Sequence, residues 1–214
     1  MRIGILGSGS VARSLAGGFI NQGHDIMMGT RDSNKLRDWS NSIDNKVNIG
    51  SFEQAAKYGE IIILAVKGTA AESALNLATG SALSGKIIID ATNPISEVPP
   101  QNGVLQFFTD INKSLMETLQ EKFPESHFVK AFSSVGAGLM VNPGFGNIKP
   151  TMFIAGNSAK AKEEVRKILD SFGWEAEDMG GAEAARAIEP LCILWCIPGF
   201  SRNEWSHAFK LLKK

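Results

Sequence analysis

The sequence predicts an α/β protein built on a doubly wound parallel sheet, with a small α/β extension at its C-terminal end. Three observations carry that prediction. The first thirty-one residues, MRIGILGSGSVARSLAGGFINQGHDIMMGTR, run strand, glycine turn, helix, strand. Short β-branched runs then alternate with helical patterns as far as Phe132, as expected of βαβ units whose strands are covered on both faces. Beyond Gly136 the grain changes to a strand, a long amphipathic helix, another strand and an aromatic-rich tail.

Each element has a local cause. Arg2 to Leu6 forms an apolar run that Gly7-Ser8-Gly9 breaks sharply. Val11, Leu15 and Phe19 follow at helical spacing with Ala12, Ala16 and Ile20 beside them. Gly23 ends that helix and Ile26 to Met28 supplies the second strand. Asn48 to Gly50 reads as the end of a short strand, and Ser51 to Tyr58 as a helix capped by Ser51 with Gln54 three residues on. Gly59 to Val66 and Gly85 to Asp90 are strands, Thr69 to Ala78 is helical, and His127 to Phe132 (HFVKAF) is the next strand. Pro143 to Pro150 is a loop, Thr151 to Ala155 a strand, and Ala159 to Phe172 a helix with Val165, Ile168 and Leu169 on one face. Trp174 to Met179 reads as a further strand and Ala182 to Trp195 as a closing helix.

The glycine segment points to a nucleotide. Gly7 permits the turn, and Gly9 removes a side chain so that N–H groups at the helix N-terminus can meet a pyrophosphate, while Ala12 stands where G-x-G-x-x-G has its third glycine. The second strand ends in Gly29-Thr30-Arg31, without the carboxylate that accepts a ribose 2′-OH. A guanidinium and a hydroxyl suit a 2′-phosphate, with Lys35 as a second cation, so NADP is favoured over NAD. The competing reading is a set of solvated loop charges, and Asp32 opposes the electrostatic argument.

Ligands of doubly wound sheets lie beyond the carboxyl ends of the strands, which singles out Ala65-Val66-Lys67-Gly68, Ala91-Thr92-Asn93-Pro94 and Ser133-Ser134-Val135-Gly136. Asn93 suits a carboxamide or a ribose, and Asn-Pro equally initiates a turn. Gly136 and Gly138 leave room for a flat ring. Lys67 is the one candidate to hold a small acid's carboxylate, against a plain role as a solvated charge. No Ser-His-Asp, Cys-His or paired-carboxylate constellation stands out, so no catalytic acid or base is named; hydride transfer needs position and orientation rather than a nucleophile. A proton would come from solvent or from the Ser133 or Ser134 hydroxyl.

The composition is that of one compact enzyme: 214 residues, 43% hydrophobic, with 22 basic residues against 22 acidic ones. That balance predicts no nucleic-acid or anionic-membrane partner. No apolar run is long enough to span a bilayer, and the first is cut by Gly7 to Ser10, which argues against a signal peptide. A cytoplasmic location is expected. Cys192 and Cys196 read as buried core thiols, no metal site is expected, and His24, His127 and His207 read as strand-edge or surface residues. Trp195, Phe200, Trp205 and Phe209 form an aromatic stripe that is core or dimer interface, with a ring-stacking platform as the alternative. Leu191, Leu194, Trp195 and Phe200 exceed the needs of a small appendage and predict a homodimer.

GSGSVARSLA, GHDIMMGTR, DATNPI, KAFSSVGA, MFIAGNSAKAKEEVRKILDSFGWEAEDMG and AFKLL, in this order, resemble the NADP oxidoreductases dependent on the deazaflavin coenzyme, over essentially the whole chain. GSGSVARSLA is also similar to the cytosolic NADPH-binding domain of the six-transmembrane ferric reductases. The resemblance implies a Rossmann-type NADP-binding fold in which Ser8, Gly9, Ser10 and Val11 cradle the pyrophosphate and Thr30, Arg31 and Lys35 hold the 2′-phosphate. Ala65 and Val66 would flank the adenosine side or its ribose, and Asn93 and Pro94 the nicotinamide. The chain departs from the family at Lys67, where proline is common, and at Ser133-Ser134, where Asn-Thr is common. Residues 1–134 are thus expected to form the dinucleotide-binding domain. Residues 135–214 are expected to form an extension that completes the second-substrate site and the dimer interface. The expected function is hydride transfer between NADPH and a small-molecule acceptor, a deazaflavin or flavin. The alternatives are reduction of a small imine or carbonyl, as in pyrroline carboxylate reductases or hydroxyacid dehydrogenases, and a non-catalytic NADPH sensor; those reductase families often carry a large all-helical second domain, for which the residues after Gly136 leave little room.

Overall fold

The structure, a computed structural model, describes residues 1–44 and 46–214. The first half runs β1 (Arg2–Leu6), α1 (Ser10–Asn21), β2 (Asp25–Gly29), α2 (Asn34–Ser42), β3 (Asn48–Gly50), α3 (Phe52–Tyr58) and β4 (Ile61–Leu64). It continues through α4 (Ala71–Leu77), α5 (Gly80–Leu83), β5 (Ile87–Asp90), α6 (Leu115–Lys122) and β6 (His127–Lys130). The last third holds β7 (Thr151–Ile154), α7 (Ala159–Ser171), β8 (Glu175–Asp178), α8 (Ala185–Ile188) and α9 (Leu191–Arg202).

The described residues form a parallel six-stranded sheet in the order β3-β2-β1-β4-β5-β6, the Rossmann arrangement. The order reverses between β1 and β4, the switch point at which such sheets bind ligands. Successive strand residues face opposite sides. Ile3, Ile5, Ile63 and Ile89 therefore enter one core with Leu15 and Phe19 of α1 and Val165 and Leu169 of α7, whereas Leu6, Ile62, Leu64 and Ile88 enter another with Ala55 of α3, Leu75 of α4 and Leu119 of α6. Ser51 caps α3 by the expected reciprocal box: its hydroxyl accepts from the Gln54 N–H at 3.1 Å and its own N–H donates to Gln54 Oε1 at 2.7 Å.

β7 and β8 pair in parallel, and an antiparallel bridge between Lys130 and Ala155 joins this pair to the edge of β6. Phe172 lies on Phe19 of α1, ring centroids 4.9 Å apart, and buried Trp174 donates from its indole to the Met140 carbonyl at 2.9 Å. The extension thereby shares the first core instead of having its own.

Several sequence expectations are corrected. The predicted helix from Ala182 to Trp195 is a 3-10 turn, a short α8 and a separate α9 that runs on to Arg202. Pro190 has no N–H to continue the ladder and instead starts α9. β4 and β6 stop short of the expected runs at their carboxyl ends, where Ala65-Val66 and Ala131-Phe132 pass into loops. β4 and β5 begin two residues late, after Glu60 and Lys86, and β2 is longer than expected by one residue at each end. Cys192 is buried but Cys196 only partly so. Trp195 is nearly buried, at 6% exposure, stacked on His207 with centroids 4.9 Å apart and tilted against Trp205. His207 is thus not a free surface residue; it is paired with Trp195 through reciprocal hydrogen bonds to each other's carbonyl at 2.8 and 2.9 Å.

One buried charge cluster was not anticipated. The Lys130 ammonium is fully buried and lies 2.7 Å from Asp90 and 2.8 Å from Glu189, while donating to the Thr92 carbonyl at 2.9 Å. Asp90 accepts from the Thr92 N–H and hydroxyl; Glu189 accepts from the N–H groups of Leu115 and Met116, both at 3.0 Å, at the start of α6. Burial lowers the affinity of Lys130 for its proton, but the two carboxylates outweigh this and hold its pKa above the ordinary lysine value. In the same first turn of α6, Glu117 accepts from Arg186 at 2.5 Å and from the Ser114 N–H and hydroxyl.

The Arg186 guanidinium, aided by Ser114, lowers the Glu117 pKa from 4.5 to about 2. A depressed carboxylate stabilises the fold fully above its unfolded pKa and loses that contribution as pH falls toward its folded pKa. Glu117→Gln should therefore lower the urea midpoint clearly near pH 6. The gap to the native protein should narrow below pH 4.5 and close near pH 2. A gap that stays constant through the acid range in urea titrations would contradict this assignment.

Candidate cofactor-binding site

The site begins where β1 stops. Gly7 has φ of +144°, and a side chain there would put its Cβ 2.2 Å from the Ala65 carbonyl, so the turn brings the chain against the end of β4 in a way only glycine allows. Gly9 stands at the start of α1 with open space where a Cβ would be. α1 has no side-chain cap, unlike α3, α6 and α7, whose first turns are capped by Ser51, Ser114 and Ser158. The unpaired N–H groups of a helix start favour an anion.

A cleft of about 270 Å³ lies over this turn, and Gly7, Ser8, Gly9, Thr30, Arg31, Lys35, Ala65, Val66 and Lys67 of the sequence prediction line it. A second cleft of about 280 Å³ is lined by Val66, Lys67, Ala91 and Asn93 together with Ile95 and Ser96. Val66 and Lys67 belong to both, so the two form one groove across the ends of β1, β2, β4 and β5. Ser10 is exposed and Val11 half-buried in the first turn of α1, and Pro94 is buried beside Asn93.

At the β2 tip, Arg31 and Lys35 are exposed and among the described residues form no ion pair. Asp32, which opposed the phosphate reading, also lines the first cleft, and its Oδ1 accepts from the Asn34 N–H at 3.0 Å where α2 begins. The Thr30 hydroxyl closes a local turn, donating to the Asp32 carbonyl and accepting from its N–H. Sequence reasoning passed over Arg13. Its Nε donates to the Ser8 carbonyl at 3.1 Å and its Nη2 to the Lys35 carbonyl at 2.6 Å, bracing the glycine turn against α2. An arginine one turn into the helix was the available signal, but its partner on α2 is a tertiary fact.

The Ser133 to Gly136 stretch differs from its expectation. Ser133, Ser134 and Val135 are buried and line neither cleft. Ser133 is bound to Asn93 on both sides of the amide: its hydroxyl donates to Asn93 Oδ1 at 2.6 Å and its carbonyl accepts from Asn93 Nδ2 at 2.9 Å. Phe132 takes a left-handed φ of +60°, rare for an aromatic residue, to bend the chain off β6 toward that contact. The room expected at Gly136 is filled by the chain itself, since a Cβ there would meet Trp195 Cη2 at 2.5 Å. Gly138 is exposed and has open space beside it.

Known proteins share this architecture. The sequence pattern of the NADP oxidoreductases that are coenzyme F420-dependent matches residues 2–94. Metalloreductase STEAP3 of Rattus norvegicus is 31% identical over 202 residues, covering 92% of this chain and 38% of that protein; the chain thus spans little more than a third of the length of such curated relatives. A crystal structure from Arthrobacter sp. FB24, named as a candidate F420-dependent NADP reductase, is 30% identical, with a TM-score of 0.92 and 99% of each chain covered. A reductive aminase from Aspergillus terreus, solved with NADPH and ethyl-5-oxohexanoate, shares the fold alone at 17% identity, with a TM-score of 0.68, 93% of this chain and 62% of that one. With the glycine turn, the carboxylate-free β2 tip and full-length similarity in agreement, the chain belongs to the F420-dependent NADP oxidoreductase family.

Proposed function

We propose that the protein moves a hydride between NADPH and a deazaflavin or flavin, with the dinucleotide lying along the joined clefts. The observation that carries this reading is the pairing, in the lining of one cleft, of the turn before an uncapped α1 with two cations, Arg31 and Lys35, that form no ion pair among the described residues. That donor set fits a pyrophosphate and a 2′-phosphate. Ser8, Gly9, Ser10 and Val11 hold the pyrophosphate, Thr30, Arg31 and Lys35 the 2′-phosphate, and Ala65, Val66 and Lys67 the ribose side. Ala91, Asn93 and Pro94 support the nicotinamide half. When bound, NADPH supplies the hydride. The chain's own residues orient the two rings; Ser133 serves the acceptor side by fixing Asn93, and the acceptor's proton comes from solvent.

Family membership and the name of the Arthrobacter structure support the deazaflavin. One observation favours a second reading, a small keto acid or imine: Lys67 is exposed and without an ion pair where the two clefts meet. The free thiols of Cys192 and Cys196 fit a reducing compartment, the cytoplasm, and among the described residues no helix is long and apolar enough to cross a membrane. We place a dimer contact on α9 and the neighbouring hairpin, where Leu194 (54%), Phe200 (46%), Val104 (42%) and Phe108 (46%) are exposed.

Arg31→Ala should weaken NADPH by about 10- to 100-fold and NADH far less, read by nicotinamide fluorescence titration. Equal losses would remove the 2′-phosphate assignment. With NADPH as donor, the purified protein should reduce a deazaflavin or free flavin faster than any keto acid or imine. Turnover confined to a keto acid or imine and abolished by Lys67→Ala would establish the second reading, and no turnover with any acceptor would favour a sensor. Light scattering at micromolar concentration should give a dimer mass that Leu194→Glu converts to a monomer; a monomer before mutation ends the dimer proposal.

A further inference from the structure

The second cleft is lined by a residue whose hydroxyl no described group uses. Ser96 lines it beside Asn93 and Ile95, and its Oγ is shut from solvent with no hydrogen-bond partner among the described residues. Most buried polar side-chain atoms in folded proteins are paired, and leaving one unpaired is unfavourable. The backbone around it is firmly held. The Ser96 N–H donates to the Gln106 carbonyl at 2.8 Å, and the Phe108 N–H donates to the Pro94 carbonyl at 2.9 Å. Ile95 and Phe107 bridge in the same hairpin. Ser96 as a residue is half-buried and lines the cleft, so on this fixed support a ligand reaches the hydroxyl by rotation about its one side-chain torsion out of the closed position.

Asn93, on the same loop and lining the same cleft as Ser96 and the exposed Glu97, already has one amide donor and its oxygen engaged by Ser133. Its amide plane is set by that contact and cannot turn to suit a ligand. A planar carboxamide presents both a carbonyl acceptor and an N–H donor, and a serine hydroxyl can meet either. Resting on the NADP reading above, we propose that Ser96 is the side-chain partner of the nicotinamide carboxamide, which fixes the rotation of the ring over the ends of β4 and β5. Ser96 is then a binding residue whose contact is specific to the nicotinamide half of the dinucleotide.

The test compares two ligands by titration calorimetry on the full chain and on Ser96→Ala. NADP⁺ carries the carboxamide; 2′-phospho-ADP-ribose carries the adenosine 2′-phosphate, the pyrophosphate and the second ribose without it. Ser96→Ala should weaken NADP⁺ by about 3- to 10-fold and leave 2′-phospho-ADP-ribose unchanged, and that unchanged affinity also reports an intact fold. Unchanged binding of both ligands would overturn the proposal. So would an equal loss for both, which would put Ser96 at the ribose or pyrophosphate or in the support of the fold. If the native chain binds neither ligand, the NADP reading itself fails and this proposal with it.

Discussion

The buried ammonium of Lys130 is the contact on which the site end of the molecule depends. Parallel pairing of β5 and β6 places Asp90 opposite Lys130, and the α8 to α9 break brings Glu189 in from the far end of the chain. Each carboxylate has a second partner: Asp90 holds Thr92 at the head of the loop that carries Asn93, and Glu189 accepts from the start of α6. A cation between two carboxylates in a solvent-free interior is stable only as a complete set, because removing one partner leaves a buried charge unpaired. Loops at the ends of β5 and β6, the edge strand and the C-terminal helices are thereby held in one arrangement.

The cofactor groove follows from a different constraint, the approach of two backbones. Gly7 lies so close to Ala65 that the glycine turn and the end of β4 form a single wall. Arg13 then ties that wall to α2 through two main-chain carbonyls. Among the described residues the cations of the β2 tip form no ion pair, and the Asp32 carboxylate that lines the cleft with them accepts from the first turn of α2. Positive charge and an uncapped helix start thus remain available in one place, which is the electrostatic condition for holding a phosphorylated dinucleotide.

The C-terminal tail has become part of the fold it follows. Trp195 fills the space beside Gly136, His207 locks over it, and the Thr151 N–H donates to the Phe209 carbonyl at 2.8 Å. The aromatic stripe that reads as core or dimer interface is therefore divided: Trp195 packs beside Gly136 and is buried, while Phe200 and Trp205 remain exposed.

Alternation of short apolar runs with helical patterns, the glycine turn after β1, the serine cap of α3 and the carboxylate-free β2 tip are set by neighbours within a few residues, and all are legible in the sequence. From them follow the Rossmann order, the family and the first cleft. The contacts that finish the site join residues far apart in the chain: Arg13 with Lys35, Asn93 with Ser133, Lys130 with Asp90 and Glu189, Gly136 with Trp195. No local pattern distinguishes a lysine bound for the core from one on a strand edge, or a glycine that opens a pocket from one filled by a distant indole. Those outcomes depend on strand register and on how helices pack over the sheet. Local propensity and periodicity determined the layout of this protein, and long-range packing decided which of its polar groups are committed to the fold and which are left for a ligand.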